Sequence, residues 1–143
     1  DLYSRKIIAW VLTRDMTAES VLEVIKIAKK RRKVDNPLII HSDRGRQFTS
    51  SLYKELTEKM TKSYSEKGTP WDNACIESFH SLIKREWLNK YRIWDYDQAK
   101  RLIFEYIETF YNTVRIHGHC EYTSPNQYEQ AYYKKKSIQC TGS

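Results

Sequence analysis

The sequence predicts an α/β fold in which short buried strands alternate with amphipathic helices. Two runs rich in β-branched and aliphatic residues, 6–12 and 38–43, have the length and composition of buried strands. The segment between them carries apolar residues at helical spacing, and so do two later segments. With 143 residues, 40% of them hydrophobic, the chain can form one domain with its own core.

The first run, 6–12, is predicted to be a buried strand, and such strands normally pair on both sides. We therefore expect at least one neighbouring strand upstream of residue 1. Thr17 is suited to cap the following helix, which ends in a basic run at 29–33. Cations there suit the negative end of the helix dipole, and a contact with nucleic acid is the alternative.

The second run, 38–43, is predicted to be a strand that ends at a polar turn. Asp43 stands at its end, where side chains of open α/β sheets face the functional crevice. An aspartate close to Gly45 is also typical of a turn, so turn formation is the alternative role for Asp43. A helix at about 49–60 and a short strand at 61–65 are predicted next.

Two longer helices are predicted in the second half. Asp72 or Asn73 can cap the first, which runs to about residue 89, and the second covers about 96–114. On the first helix Glu77 and Lys84 lie within about 20° of each other around the axis. Opposite them lies an apolar side made of Ile76, Phe79, Ile83 and Trp87, and the predicted core positions of the second helix are Ala99, Leu102, Ile103, Tyr106 and Phe110. We assign the domain to 1–133 and expect a disordered tail of lysines and small polar residues at 134–143.

Charge and cysteine content narrow the class of protein. Lys and Arg number 25 against 18 Asp and Glu, giving a net charge of +7, which favours a polyanionic partner such as DNA. Charge alone is equally compatible with a merely basic soluble protein. No apolar run approaches the ~20 residues that cross a bilayer, and no signal peptide is apparent. Three separated cysteines without a CxxC pair fit a reducing cytoplasm.

Two constellations could bind metal. Asp43 at a strand end and Glu77 on a helix carry the oxygen ligands that Mg²⁺ or Mn²⁺ prefers, although such pairs occur in most domains of this size. His117, His119 and Cys120 crowd together, but they lack a fourth ligand at the usual spacing. A zinc site is therefore not predicted there.

Four blocks, in order, resemble the bacterial insertion-sequence transposases related to retroviral integrases, the DDE superfamily. The blocks are HSDRGRQFTS at 41–50, KGTPWDNACIESF at 67–79, LIKRE at 82–86, and YNTVRIH at 111–117 followed by Ser124-Pro125. The resemblance extends over residues 1–133. It implies an α/β, ribonuclease H-like integrase core: an incomplete mixed sheet flanked by helices, with a helical C-terminal part.

In that family an Asp, Asp, Glu triad holds two divalent metal ions, Mg²⁺ or Mn²⁺. By resemblance Asp43 corresponds to the second Asp and Glu77 to the Glu, both catalytic and metal-binding, while the first Asp is expected before residue 1. The residues implied to contact DNA are Lys84, Arg44, Arg46, Lys67, Asn73 and Arg115. Lys84 is supported by sharing a helix face with Glu77; for the other basic residues surface solvation is the alternative, and for Arg115 also a structural role.

The function implied is DNA transposition and integration through metal-dependent cleavage and strand transfer. The implied partners are element-end and target DNA and a homo-oligomeric active complex, with no membrane and no small-molecule cofactor. Because one carboxylate is expected to be missing, this chain alone should bind DNA without strand transfer. Its exposed sheet edges should also favour dimerisation.

Two other functions remain open on the sequence. The first is a non-catalytic DNA-binding remnant or regulator derived from a transposase, which a stop codon upstream of Asp1 would favour. The second is a ribonuclease H-like nuclease of the repair type, which predicts no inverted repeats flanking the gene.

Overall fold

The computed structural model describes residues 1–32 and 38–141. Their backbone divides into two compact units. The contiguous unit is Ile8–Phe79, and the split unit combines Asp1–Ile7 with His80–Ser143. Both units draw on the 1–133 region that the sequence assigns to one domain, and that assignment stays a prediction.

The contiguous unit begins with helix α1 (Ala18–Arg31). Thr17 caps this helix as predicted, since its Oγ1 accepts the N–H of Ser20 at 3.2 Å. The last turn carries three basic residues, which oppose the negative end of the helix dipole. The end of the predicted basic run, Lys33, and the break at Asn36-Pro37 lie outside the described residues.

A parallel two-stranded sheet follows. Strands β1 (Ile39–Ser42) and β2 (Thr61–Tyr64) pair in register from Ile39 opposite Thr61 to Ser42 opposite Tyr64. Parallel strands need a crossover, and here helix α2 (Ser51–Leu56) supplies it after a short 3₁₀ turn, 46–48. Tyr53 and Thr57, at the end of α2, are fully buried in the core of this unit. Both strands and the helix between them lie where the sequence predicts them.

Residues 6–12 form no strand, so this prediction is wrong. A strand needs a partner, and within the described residues the ladder is limited to β1 and β2. Side chains, not a partner strand, bind the backbone here. Asn112 Oδ1 accepts the Ile7 N–H and Asn112 Nδ2 donates to the Ile7 carbonyl, both at 3.0 Å. Arg31 Nη1 donates to the Ile8 carbonyl at 3.0 Å. These bonds satisfy backbone groups that a neighbouring strand would otherwise satisfy.

Helix α3 (Ala74–Glu86) follows a 3₁₀ turn at 70–73 and continues without a break from the contiguous unit into the split unit. Its Phe79 and Ile83 are buried while Glu77 and Lys84 are exposed, which confirms the predicted amphipathic pattern. Ile76, placed by the sequence on the apolar side, is exposed.

The split unit contains helix α4 (Tyr96–Phe104), which widens into a π-helix at Glu105–Tyr111. There the Asn112 N–H bonds to the Ile107 carbonyl, five residues back, at 3.1 Å. The wider turn shifts which side chains face the core. Leu102 and Tyr106 are buried as predicted, but burial then passes to Ile107 and Tyr111, while the predicted core residues at 103 and 110 are only half-buried.

Helix α5 (Pro125–Thr141) completes the chain and continues through residues 134–141, where the sequence predicted a disordered tail. Pro125 suits a first helical position because the N–H it lacks is not needed there. The side chain of Gln127 accepts the Ser124 N–H at 3.0 Å, and unbranched Lys and Gln side chains favour the helix beyond. None of the helices described here combines the length and the apolarity that crossing a lipid bilayer requires.

Candidate functional site

Asp43 follows β1 directly, at the carboxyl end of the strand, and its side chain is exposed. Its Oδ1 accepts the N–H of Gly45 at 2.8 Å, which closes the turn after the strand. The two roles considered for Asp43 are therefore compatible. The turn uses one carboxylate oxygen and holds the side chain in a defined orientation at the strand end.

Side chains tie this turn to the end of β2. The ring of His41 lies 2.9 Å from the Oγ of Ser63 through Nδ1 and 3.2 Å from the Oγ of Ser65 through Nε2. Arg44 Nε donates to the carbonyl of Ser65 at 3.2 Å. The backbone on both sides of Asp43 is thus anchored to the residues that follow β2.

The loop after β2 closes on Asp72. Its Oδ2 accepts the hydroxyl of Thr69 at 2.7 Å and the N–H of Glu66 at 3.1 Å. These two hydrogen bonds, the Thr69 bond first, hold the pKa of the Asp72 carboxyl below its usual value, and His41 contributes a smaller lowering. Asp72 therefore closes the loop that leads into α3, whereas the sequence assigned the cap of that helix to Asp72 or Asn73.

Glu77 lies in the first turn of α3, with its side chain exposed. A continuous set of bonds links the two acid-bearing segments inside the contiguous unit: Arg44 to Ser65, then Glu66 to Asp72, then the turn into α3. Lys84 is exposed on the same uninterrupted helix, two turns beyond Glu77.

The other residues that the resemblance singles out are distributed between the units. Arg46 and Lys67 are exposed in the contiguous unit, together with Arg44, and Asn73 is half-buried at the end of the turn before α3. Lys84 and Arg115 belong to the split unit.

Arg115 is engaged in an ion pair that the sequence analysis missed. Its Nε and Nη2 donate to Oε2 and Oε1 of Glu86, both at 2.7 Å, and Tyr106 Oη donates to the same Oε2 at 2.7 Å. The Arg115 bonds hold the pKa of Glu86 below its usual value. This use of the guanidinium favours the structural role of Arg115 over a contact with DNA. Glu86 lies in the block at 82–86 and Arg115 in the block at 111–117 of the family resemblance. That shared membership is the sequence feature that could have suggested the pair.

The histidine and cysteine cluster is divided among separate partners. His117 lies 3.3 Å from Arg115 Nη1, His119 Nε2 lies 3.1 Å from the Tyr3 carbonyl, and Cys120 donates to the Ser4 carbonyl at 3.3 Å. In the part of the chain that the structure describes, no three His, Cys, Asp or Glu side chains come close enough to hold a metal ion. Asp43 and Glu77 accordingly belong to no such group of three among these residues.

Two family models, both described as an integrase core domain, match this chain at residues 1–70 and 58–125. The chain belongs to the integrase core domain family. Asp43 falls in the first matched region of this integrase core domain and Glu77 in the second.

Curated relatives are insertion-sequence transposases. The transposase for insertion sequence element IS904 of Lactococcus lactis is 38% identical over 132 residues, covering 91% of this chain and 52% of the relative. The transposase InsF for insertion sequence IS3A of Escherichia coli is 36% identical over 131 residues, covering 90% and 46%. This integrase core domain thus spans about half the length of the relatives that it matches.

Proposed function

We propose that this integrase core domain serves DNA transposition, as the metal-binding part of an enzyme that cleaves and joins insertion-element DNA. The observation that carries the proposal is the set of hydrogen bonds linking the turn of Asp43 to the loop that leads into the helix of Glu77. Family membership and the transposase names of the relatives support DNA as the substrate.

The proposal includes a ribonuclease H-like arrangement of the complete domain. The parallel pair β1 and β2, joined by α2, supports it, because one acid then follows β1 and the other lies on α3, the helix after β2. Parallel strands normally lie inside larger sheets covered on both faces, so a two-stranded parallel sheet fits a part of such a fold.

Asp43 and Glu77 would be ligands of Mg²⁺ or Mn²⁺ in this reading. Both present hard carboxylate oxygens and both are exposed, which suits a substrate as large as duplex DNA. When bound there, such ions would supply activation of the attacking oxygen and stabilisation of the leaving oxygen of the phosphodiester. The protein's own part is to fix the carboxylates, which the Gly45 N–H does for Asp43.

Cationic side chains around the carboxylates would attract the DNA backbone. Arg44, Arg46 and Lys67 are exposed in the same unit as Asp43 and Glu77, and contacts of this kind position phosphates without reading sequence. Asn73 and Lys84, on the turn and helix that carry Glu77, would add contacts to the element end. We further propose that the protein acts in the cytoplasm as a homo-oligomer.

A non-catalytic DNA-binding protein is the second candidate function. It is favoured by the finding that no group of three metal-ligating side chains occurs within residues 1–32 and 38–141. In that case DNA binding would be indifferent to divalent metal, and neither carboxylate would affect it.

Titration with Mn²⁺ tests the carboxylate pair directly. Paramagnetic Mn²⁺ should broaden the amide NMR signals around Asp43 and Glu77 together, and Asp43→Asn or Glu77→Gln should each weaken Mn²⁺ binding by about tenfold or more. Glu58→Gln, which removes an exposed carboxylate of the same unit, is the matched control and should leave the affinity unchanged.

Broadening at only one of the two carboxylates, or equal effects of all three variants, would refute a shared site. In the full-length protein, Asp43→Asn and Glu77→Gln should each abolish transfer of labelled element-end DNA while Glu58→Gln retains it. Transfer that survives both substitutions would favour the non-catalytic reading of these residues.

A further inference from the structure

An exposed tryptophan and an arginine lie together in the segment between α3 and α4. Trp94 is 69% exposed, and the Cζ of Arg92 lies 4.0 Å from the centre of its ring. This geometry is a cation–π contact, which leaves the rest of the indole in solvent. We call this pair the Arg92–Trp94 platform.

The side chain of Gln98 fixes the backbone of the platform. Its Oε1 accepts the Trp94 N–H at 2.7 Å, and its Nε2 donates to the Arg92 carbonyl at 3.3 Å. Asp95 caps α4 by accepting the Gln98 N–H at 2.7 Å, which anchors the same residue from the helix side. The large apolar ring of Trp94 is therefore presented to solvent on an ordered segment, and an ordered aromatic ring loses little entropy when a flat ligand stacks on it.

The chain leading to the platform is basic. Four exposed cationic side chains precede or belong to it, namely Lys84, Arg85, Lys90 and Arg92. The one acid among them, Glu86, is bound by Arg115 and Tyr106. Of the acids that follow, Asp95 is the N-cap of α4 and uses its carboxylate there, and Asp97 lies in the first turn of the helix.

We propose that the Arg92–Trp94 platform binds single-stranded DNA by stacking an unpaired base on the indole, with the neighbouring basic side chains on the phosphates. Every base has a flat π face, so such stacking tolerates any sequence, and cations beside the ring hold the backbone. In a duplex the bases stack on one another and do not offer these faces. The inference rests on the DNA partner of the proposed function, but not on the carboxylate pair.

Anisotropy of a dye-labelled oligothymidylate of about 12 nucleotides tests the platform, because the label on the DNA reports binding in every variant. Trp94→Ala should weaken binding by about tenfold, and Trp94→Phe, which keeps an aromatic face, should restore most of it. Trp71→Ala is the matched control: Trp71 is 70% exposed but lies in the contiguous unit, and its removal should change the affinity by less than about twofold.

Gln98→Ala gives a second measurement that leaves both platform side chains in place. It should weaken oligothymidylate binding several-fold, because the backbone that carries Trp94 and Arg92 then loses two hydrogen bonds. Circular dichroism melting checks that each variant retains the fold. Retention is expected for the Trp94 variants because this side chain is exposed.

Unchanged affinity in Trp94→Ala, an equal loss in Trp71→Ala, or an equal loss for duplex DNA would each overturn the platform. Asp43→Asn and Glu77→Gln should leave oligothymidylate binding intact even where they remove Mn²⁺ binding, so failure of the metal site is seen separately. A chain that binds neither single-stranded nor duplex DNA would remove the DNA partner on which both proposals rest. Trp94-dependent binding of a protein in place of the oligonucleotide would also count against the proposal.

Discussion

The Glu86 carboxylate accepts three hydrogen bonds at 2.7 Å from two residues that lie far along the chain, Tyr106 and Arg115. Bidentate pairing with a guanidinium gives both direction and strength, and the pair is largely shielded, with side-chain exposures of 26% for Glu86 and 20% for Arg115. Removing the carboxylate leaves a half-buried guanidinium and a buried hydroxyl without their acceptor. The cost of that loss exceeds that of an ordinary surface pair.

Glu86→Ala should therefore lower the free energy of unfolding by about 2 kcal/mol, below the values for fully buried pairs because solvent still reaches both groups. Glu129→Ala removes a pair of similar exposure in which the Lys6 ammonium, not a guanidinium fork, contacts Glu129 at 2.7 Å. It is the control and should cost less, about 1 kcal/mol. Urea unfolding of both variants measures the difference. Equal losses would show that the bidentate geometry adds nothing.

His117 makes the stability of the protein depend on pH. Burial, and then the positive charge of Arg115, lower the pKa of His117 from 6.5 to about 4. As pH falls, His117 is protonated below about pH 6.5 in the unfolded chain but only near pH 4 in the folded chain. The folded state is therefore fully stable with respect to this group above pH 6.5 and loses stability as pH falls from 6.5 towards 4. Urea midpoints from pH 7 to 5 should decline, and His117→Gln should flatten that decline. A decline that persists unchanged in the variant would assign it to other groups.

At the level of elements, the sequence predicted the strands and helices that are determined by residues close together along the chain. Apolar spacing and a turn with glycine predicted three elements: the strand that ends before Asp43, the strand after α2 and the amphipathic helix of Glu77. Residues 6–12 have the composition of a strand, but a strand also needs a partner strand. Here the side chain of Asn112, which follows the π-helix, binds the Ile7 backbone instead. The π-helix itself leaves no local signal, so its shift of burial to Ile107 could not be predicted.

The candidate site shows the same division. The positions of Asp43 and Glu77 on their elements followed from the sequence, whereas the loop closure by Asp72 did not, because Asp72 was equally suited to cap α3. The role of Arg115 was ambiguous for a similar reason, since its partner Glu86 lies 29 residues away. Only the folded chain distinguishes a cation that faces a carboxylate from one that faces solvent.

Asp72→Ala should release the loop before α3 without unfolding the protein. The N–H of Glu66 loses its acceptor, while the hydroxyl of Thr69 keeps only the Glu66 carbonyl at 2.8 Å. The amide of Glu66 should therefore exchange with solvent faster, and Mn²⁺ binding should weaken because the segment carrying Glu77 is less constrained. Hydrogen exchange and Mn²⁺ titration measure both effects. Asp72→Asn, which keeps an acceptor, should lie close to the unsubstituted chain.

Asp95→Ala is the matched control for this prediction, because Asp95 also accepts a backbone N–H just before a helix but belongs to the split unit. It should leave Mn²⁺ binding unchanged. If Asp95→Ala weakened Mn²⁺ binding as much as Asp72→Ala, the loop closure would have no specific relation to Glu77.

At the level of the whole molecule, the two-stranded sheet presents an edge suited to association. Ile39 in β1 is 67% exposed, and Leu38 beside it is exposed as well. Within residues 1–32 and 38–141, β1 and β2 pair only with each other. A sheet edge with exposed apolar side chains favours pairing with another chain.

The chain should therefore associate as its concentration rises, and Ile39→Lys should shift it towards the monomer by placing a charge on the edge. Sizing chromatography across a range of concentrations measures both. Leu52→Lys is a suitable comparison, because Leu52 is also exposed but lies on α2, and it should leave the association unchanged. A monomer at every concentration would contradict the prediction.

The split unit has a consequence for biosynthesis. Residues 1–7 are synthesised long before the residues that they contact: Ile7 bonds to Asn112, 105 residues on, and Lys6 to Glu129, 123 residues on. The contacts of the contiguous unit join residues that are closer together along the chain. This unit can therefore fold before the partners of residues 1–7 have been synthesised. Nascent chains arrested before α5 should accordingly protect β1 and β2 from protease but leave residues 1–7 cleavable until α5 has been synthesised.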